Sequence, residues 1–340
     1  MYKKIKYFLS WLVIMKNFYD RLENKSIIFK ELKNTIFRFL PIANPRPIKT
    51  FLPRSKRKFL LTIGGVFNQD RAQLIDCDEK NIASLKLLKN TLLGKKGKII
   101  VIPKDNVIYK HVKKIGEWES EESYFLIDIL NTCENPTLID IGANVGLISL
   151  QVLNNCKKNI KVELFEPIVE HYNCILKNLS DYNLAVRANN YALGTFSGQL
   201  KFYREQNNSG NTSYDKNSIF AGNFSEEICE VRDANEALKE KFRDNNDKIV
   251  IKSDTQGMDI EILASLELSW FNKIEGGVIE LWSRENVKII ELEVLLEKFK
   301  DQFIFGYKPD ELGSISKEEI KNFMMSKSLQ SKNLYFKKVR

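Results

Sequence analysis

Histidine is nearly absent from this chain. Only His111 and His171 occur in 340 residues, which argues against His-rich metal sites and against catalytic triads built on imidazole. Cysteine is sparse too: Cys77, Cys133, Cys156, Cys174 and Cys229 are dispersed and form no C-x-x-C pair. An odd, scattered set without a clear secretion signal reads as free thiols in a reducing compartment, and so as a cytoplasmic protein. Long apolar runs are missing as well. Residues 1–16 join Lys3, Lys4 and Lys6 to an apolar run, Tyr7 to Met15, but Lys16 ends it. That is far short of the roughly 20 residues that cross a bilayer, and no small-x-small cleavage site follows. The segment reads as a helix that packs on the rest of the protein or lies at a membrane surface.

What is present is unevenly distributed. An apolar fraction of 43% and a charged fraction of 29% suit a globular protein. The net charge of +9 resides at one end: residues 1–60 hold 15 Lys and Arg against Asp20, Glu23 and Glu31, which leaves the remainder slightly acidic. A basic segment of this kind suits an anionic surface, and peripheral contact with the inner face of a membrane is one expectation. A solvated basic face that keeps the chain soluble accounts for it equally well. Nucleic acid is disfavoured as a partner, because no interleaved aromatic platform or known motif accompanies the basic residues Arg54 to Lys58.

Three regions follow from the pattern. Residues 1–58 read as a basic, largely helical segment ending in a linker that holds Pro41, Pro45, Pro47 and Pro53. Residues 59–110 read as a small α/β element, with strands at Phe59–Ile63 and Ile99–Ile102 and a helical stretch around Ile82–Leu93. From 111 to 340 the alternation becomes regular. Strands are expected at 137–141, 161–167, 184–192, 199–203, 249–254 and 277–282, with closing strands at 303–307 and 334–339. Helices are expected at 119–130, from 144, and at 168–178, 258–266 and 287–299. Alternation of this kind specifies a mostly parallel, doubly wound sheet, in which ligands gather at the carboxyl ends of the strands.

The strand-ending residues are therefore the candidates: Asp140 to Gly146, Glu166, Asn190, Asp254 and Glu280. The first group is the organising stretch, Ile139-Asp140-Ile141-Gly142-Ala143-Asn144-Val145-Gly146. Glycines at 142 and 146 permit a sharp turn into a helix whose free N–H groups face a ligand. One glycine of the dinucleotide fingerprint G-x-G-x-x-G is missing, which disfavours a nicotinamide-linked oxidoreductase. A tight turn that binds nothing is the bland alternative. Asn144 can support a left-handed backbone position or bond locally. Glu166, 20 residues beyond Gly146, suits both hydroxyls of a ribose, or else simply ends a strand. Asp254 can take or orient a hydroxyl proton, or cap the next helix. Glu280 lies in an apolar run beside Trp282, where an acid needs a partner.

These stretches, with Phe165-Glu166-Pro167, Tyr191-Ala192-Leu193-Gly194, Ile251-Lys252-Ser253-Asp254-Thr255-Gln256-Gly257-Met258-Asp259, the lead-in Gly116-Glu117-Trp118-Glu119 and the polar loop 207–213, closely resemble the FkbM-type methyltransferases. The resemblance covers about residues 105–340. It implies a Rossmann-like class I methyltransferase fold with an antiparallel last strand, behind the basic N-terminal extension. It also implies S-adenosylmethionine as cofactor and O-methylation of a hydroxyl, often on a sugar of a surface polysaccharide. The turn Asp140, Gly142, Asn144, Gly146 would hold the methionine end and Glu166 the ribose, with Glu119 and Asn190 completing the cofactor site. With no histidine near these motifs, Asp254 and Glu280 are the expected catalytic residues, as candidates for the base that takes the hydroxyl proton. One departure stands out: the family pattern has Glu where this chain has Gln256. That loss of charge weakens the case for a metal held by paired carboxylates. It also favours an alternative reading, a degenerate cofactor-binding domain that serves as a scaffold.

Overall fold

The computed structural model describes residues 70–216, 223–242, 246–283, 289–326, 328 and 330–339. The basic segment, the proline linker and the expected strand at 59–63 lie outside these residues. The described residues start with a three-stranded antiparallel sheet of β1 (Ala72–Cys77), β2 (Ile82–Leu87) and β3 (Ile99–Pro103). The helix expected around Ile82–Leu93 is thus a strand followed by turns. Leucine and lysine favour a helix in isolation, but pairing on both edges overrides that preference while Ala83, Leu85 and Leu87 point into the core.

Two helices follow, α1 (Ile108–Ile115) and α2 (Ser120–Leu130), and then the central alternation. It runs β4 (Pro136–Ile141), α3 (Leu147–Asn155), β5 (Lys161–Phe165), α4 (Val169–Asn178) and β6 (Val186–Asn189). A second sheet is inserted next, of β7 (Ala192–Gly194), β8 (Gly198–Glu205), β9 (Thr212–Ser213) and β10 (Phe224–Asp233), in the order β7-β10-β8-β9. After α5 (Ala234–Phe242) come β11 (Lys248–Ser253), α6 (Asp259–Ser265), α7 (Leu268–Lys273) and β12 (Ile274–Ser283). The chain closes with α8 (Ile289–Phe299), β13 (Phe303–Gly306), α9 (Lys317–Met325) and β14 (Gln330–Lys338).

The central sheet has seven strands in the order β6-β5-β4-β11-β12-β14-β13. Neighbours from β6 through β12 pair in parallel, whereas β14 runs antiparallel to both β12 and β13. This is the expected class I methyltransferase arrangement with its reversed last strand. Strands β4 and β11 are buried over nearly their whole length, which is why their sequences are apolar runs rather than alternating ones. Chain progression reverses between β4 and β11, so their carboxyl ends form the crevice where ligands settle.

Two sequence expectations differ in detail. The single strand expected over 184–192 is two strands in different sheets, β6 and β7, with a corner at Asn190. Strand β10 was not anticipated, because only Cys229 and Val231 are buried in it and Ile228 faces solvent. The small sheet β1–β3 is not isolated from the core. Val101 exchanges two hydrogen bonds with the buried side chain of Asn178 on α4, and Asn178 also donates to Val145 O within the glycine turn.

Candidate active site

A cavity of about 370 Å³ opens at the carboxyl ends of β4, β5, β11 and β12. The glycine turn forms its floor. Gly142, Asn144 and Gly146 all have positive φ (69, 51 and 77°), so the left-handed role expected of Asn144 is what its backbone adopts. Gly142 is irreplaceable for a second reason: a Cβ there would lie 2.0 Å from the backbone oxygen of Asp254. The two strand ends at the switch point can approach this closely only because one of them carries glycine.

Glu166 is buried in the wall, and its carboxylate accepts Asn144 N–H at 2.8 Å and Ile168 N–H at 2.9 Å. The turn after β4 and the start of α4 are thereby tied to one carboxylate. The Nδ1 atom of His171 lies 3.5 Å from the same group, and its Nε2 is buried without a hydrogen-bond partner. This overturns the expectation that no histidine lies near the motifs. His171 lies in the first turn of α4, five positions beyond Glu166, so this closeness was already present in the chain order.

Of the nine residues expected from sequence, Glu119, Gly142, Asn144, Glu166, Asp254 and Glu280 line the cavity. The other three do not line it and are set behind it. Asp140 has no exposed surface; it accepts Ser149 Oγ at 2.6 Å and faces Lys252 Nζ at 3.3 Å. Gly146 begins α3, and its missing side chain admits Ile175. Asn190 donates to the main-chain oxygens of Glu166 and Pro167, holding the corner that aims Glu166.

Lys252 drew no attention as a site residue, since a lysine in an apolar run carries no spacing signal. It is almost fully buried, and its ammonium donates to Gly142 O at 2.7 Å. Burial opposes its charge, but Asp140, Asp254 and Glu119 outweigh that and raise its pKa. Glu119 itself sits at a left-handed position (φ 41°) before α2. Burial first, then the charges of Asp254 and Glu122, push its carboxyl up to about 8 against the pull of Lys252.

Across the cavity, Gln256 donates from Nε2 to Asp254 Oδ1 at 2.8 Å and to Glu280 Oε2 at 2.9 Å. Trp282 Nε1 donates to that same Glu280 oxygen at 2.6 Å, supplying the partner an acid in an apolar strand requires. Burial, followed by Asp254 and Asp259, raises the Glu280 carboxyl well above the usual range. The capping role considered for Asp254 is not adopted, since Met258 is the N-cap of α6 and no side chain caps it; Asp259 instead closes the preceding turn by accepting Ser253 Oγ and the N–H groups of Thr255 and Gly257. Asp259 is buried, and burial with the charge of Asp254 pushes it to about 6.

The polar loop 207–213 covers the cavity from the inserted sheet. Asp105 anchors it by accepting both Ser209 N–H and Ser209 Oγ, while also accepting Val107 N–H and Tyr109 N–H. Asn144 Nδ2 donates to Ser209 O at 3.0 Å, so the loop is also fastened to the glycine turn. Among the described residues, no group of three His, Cys, Asp or Glu side chains is arranged to hold a metal ion. No described helix is long and apolar enough to cross a membrane.

The model of the methyltransferase FkbM domain matches residues 140–324, more than half of the chain. The chain belongs to the FkbM methyltransferase family. S-adenosylmethionine is accordingly its cofactor. Methyltransferase sdnD of Sordaria araneosa is 25% identical over 226 residues, covering 58% of this chain and 86% of that protein. Among solved structures, methyltransferase FkbM from Methylobacillus flagellatus KT shares 13% identity at a TM-score of 0.36, over 59% of this chain and 43% of that one. A SAM-dependent methyltransferase from Agrobacterium tumefaciens shares 10% identity at a TM-score of 0.37, over 79% and 73% of the two chains. At such scores the strand order, not the superposition, carries the fold assignment.

The residues of this FkbM-family chain fit a sulfonium cofactor. Among the described residues, Glu119, Glu166, Asp254 and Glu280 line the cavity with Lys252 as the single ammonium, so the wall suits a cation. The side-chain oxygens of Asn144 and Asn211, both lining residues, are buried without hydrogen-bond partners and can accept from a polar ligand.

Proposed function

We propose that the protein is an O-methyltransferase acting on a sugar hydroxyl of a surface polysaccharide or glycolipid. The observation that carries this reading is the placing of Asp254 and Glu280 in the same cavity as Glu166 and the glycine turn. A hydroxyl is a poor nucleophile unless its proton has somewhere to go, and carboxylates beside it meet that need.

When bound, S-adenosylmethionine supplies a methyl group already activated for in-line displacement. Glu166 would accept the ribose hydroxyls, since each of its oxygens retains an acceptor site after taking one backbone N–H. The turn Gly142 to Asn144 would hold the methionine end. Asp254 would take the acceptor's proton as its oxygen forms the new bond to carbon. Alignment supplies a large share of the rate in such a displacement, and a general base adds about 10²–10⁴-fold. Trp282 and Trp118, both lining the cavity, are aromatic surfaces of the kind a sugar packs on.

The engagement of Gln256 with both carboxylates supports a working site over the scaffold reading. Peripheral attachment to a membrane through residues 1–16 is a further part of the proposal. It is tested by deleting that segment and measuring binding to anionic lipid vesicles, and unchanged binding removes it.

Calorimetric titration with S-adenosylmethionine, beside NAD and a Glu166→Ala control, tests the cofactor site. Transfer of a labelled methyl group to isolated envelope glycan then tests the acceptor. Label that survives alkaline treatment marks a methyl ether on a hydroxyl. Saturable cofactor binding with label only in protein or lipid-free carboxylates overturns the sugar assignment.

A further inference from the structure

Gln256 sits in a turn whose geometry is enforced from several sides. Its own φ is 56° and that of Gly257 is 121°. Asp259 holds the turn from within, Thr255 Oγ1 accepts Met258 N–H, and Ser213 Oγ from the covering loop donates to Gln256 O at 3.1 Å. Backbone strain of this kind persists where surrounding contacts over-determine it. Its result is to place one amide nitrogen between the carboxylates at the ends of β11 and β12.

An amide NH2 carries two hydrogens, and here both have an acceptor, Asp254 Oδ1 and Glu280 Oε2. Glu280 and Asp254 also share a direct side-chain hydrogen bond, and burial with the charge of Asp254 raises the Glu280 carboxyl. A carboxyl held against a carboxylate keeps its proton, so the arrangement favours one negative charge over two. Trp282 fixes the Glu280 end. The charged groups that act on the pair are Glu119 just before α2, Lys252 from β11 and Asp259 from α6, with Glu122 and Asp140 bearing in turn on Glu119 and Lys252. The acids among them outnumber the one ammonium, and add to the pressure against a second charge.

We propose that Gln256 is a positioning residue for the methyl transfer: its amide clamps Asp254 and Glu280 into one pair with a single negative charge, Asp254 taking the acceptor's proton while Glu280 stays protonated. The step balances: the O–CH3 bond forms as the S–CH3 bond breaks, the electron pair stays on sulfur, and the acceptor's proton ends on Asp254. The direction of the Glu280 shift agrees with this division of roles. A glutamate at 256 would remove both donors and add a third charge, so the glutamine is a working part and not a defect. The proposal deepens the methyltransferase reading and rests on it.

The test needs no acceptor. Carbon-13 spectra of Asp- and Glu-labelled full-length protein are followed against pH, with S-adenosylmethionine calorimetry on each variant. In the unaltered protein one carboxyl of the pair is expected to remain protonated through neutral pH, and its signal should vanish in Glu280→Gln. Gln256→Leu, which removes the donors that stabilise the anions, should lift the pair's titration by about one pH unit or more, and Gln256→Glu should retain a second proton. Identical titration in Gln256→Leu and the unaltered protein overturns the clamp, and persistence of the signal in Glu280→Gln overturns the division of roles. Should Gln256→Leu fail to fold, Glu280→Gln and Gln256→Glu decide by the same signals. Failure of the unaltered protein to bind S-adenosylmethionine would instead sink the methyltransferase reading itself.

Discussion

Replacing Glu119 by glutamine should flatten the dependence of stability on pH, and its size can be worked out. In the folded protein the Glu119 carboxyl is raised from 4.5 to about 8 by burial and by Asp254 and Glu122. A carboxyl raised on folding binds its proton more tightly in the folded state, so stability falls as pH climbs between the two values. Below 4.5 both states are protonated and nothing is lost; above 8 both are ionised and the loss is complete. Each pKa unit corresponds to about 1.4 kcal/mol, which sets a ceiling near 4 kcal/mol between pH 5 and pH 9. Partial exposure of Glu119 reduces this to roughly 2 kcal/mol. Glu280 and Asp259 titrate in the same direction, so the unaltered protein should weaken still more steeply. Urea unfolding of both proteins at pH 5, 7 and 9 reads the difference. Glu119→Gln should be close to the unaltered protein at pH 5 and more stable by about 2 kcal/mol at pH 9. Parallel curves would refute the assignment of a buried, raised carboxyl at this site.

Other consequences follow from the same geometry. Gly142→Ala brings a Cβ to 2.0 Å from Asp254 O at a left-handed position; it should cost about 3 kcal/mol or more and abolish cofactor binding, read by thermal melting and calorimetry. Glu166→Gln puts an amide where two backbone N–H groups seek acceptors; S-adenosylmethionine affinity should fall by about 10–100-fold with the fold retained, and unchanged affinity would refute the role. Asp105→Ala removes four hydrogen bonds, two of them to the covering loop at Ser209. Protease cleavage within 206–213 should accelerate about tenfold or more, and cofactor should suppress it less than in the unaltered protein. Cofactor binding near pH 7 should release protons as the cation favours ionised Glu119, a release read as buffer-dependent heat and absent in Glu119→Gln.

The sequence by itself determined the central frame. Strands β4 and β11 are legible because a strand buried on both faces must be continuously apolar, and the turn at Gly142 to Gly146 because positive φ selects glycine and asparagine. Glu166 was legible for a related reason: it follows its strand directly, so its place in the cavity is set by chain order. Tertiary structure decided the rest. β2 became a strand through pairing on both edges, against its own helical preference. Asp105 reached Ser209 across 104 positions, through a contact that leaves no periodic trace. Asp140 and Asn190 were correctly seen as strand-ending residues, yet the packing of β11 and the corner after β6 turned them into supports. Gln256 shows the limit most sharply. Its sequence records only a missing charge, whereas its function depends on a left-handed turn that sets one amide between two carboxylates from different strands. Backbone conformation propagates locally and can be read from neighbours. The meeting of side chains from separate elements is fixed only when the sheet assembles.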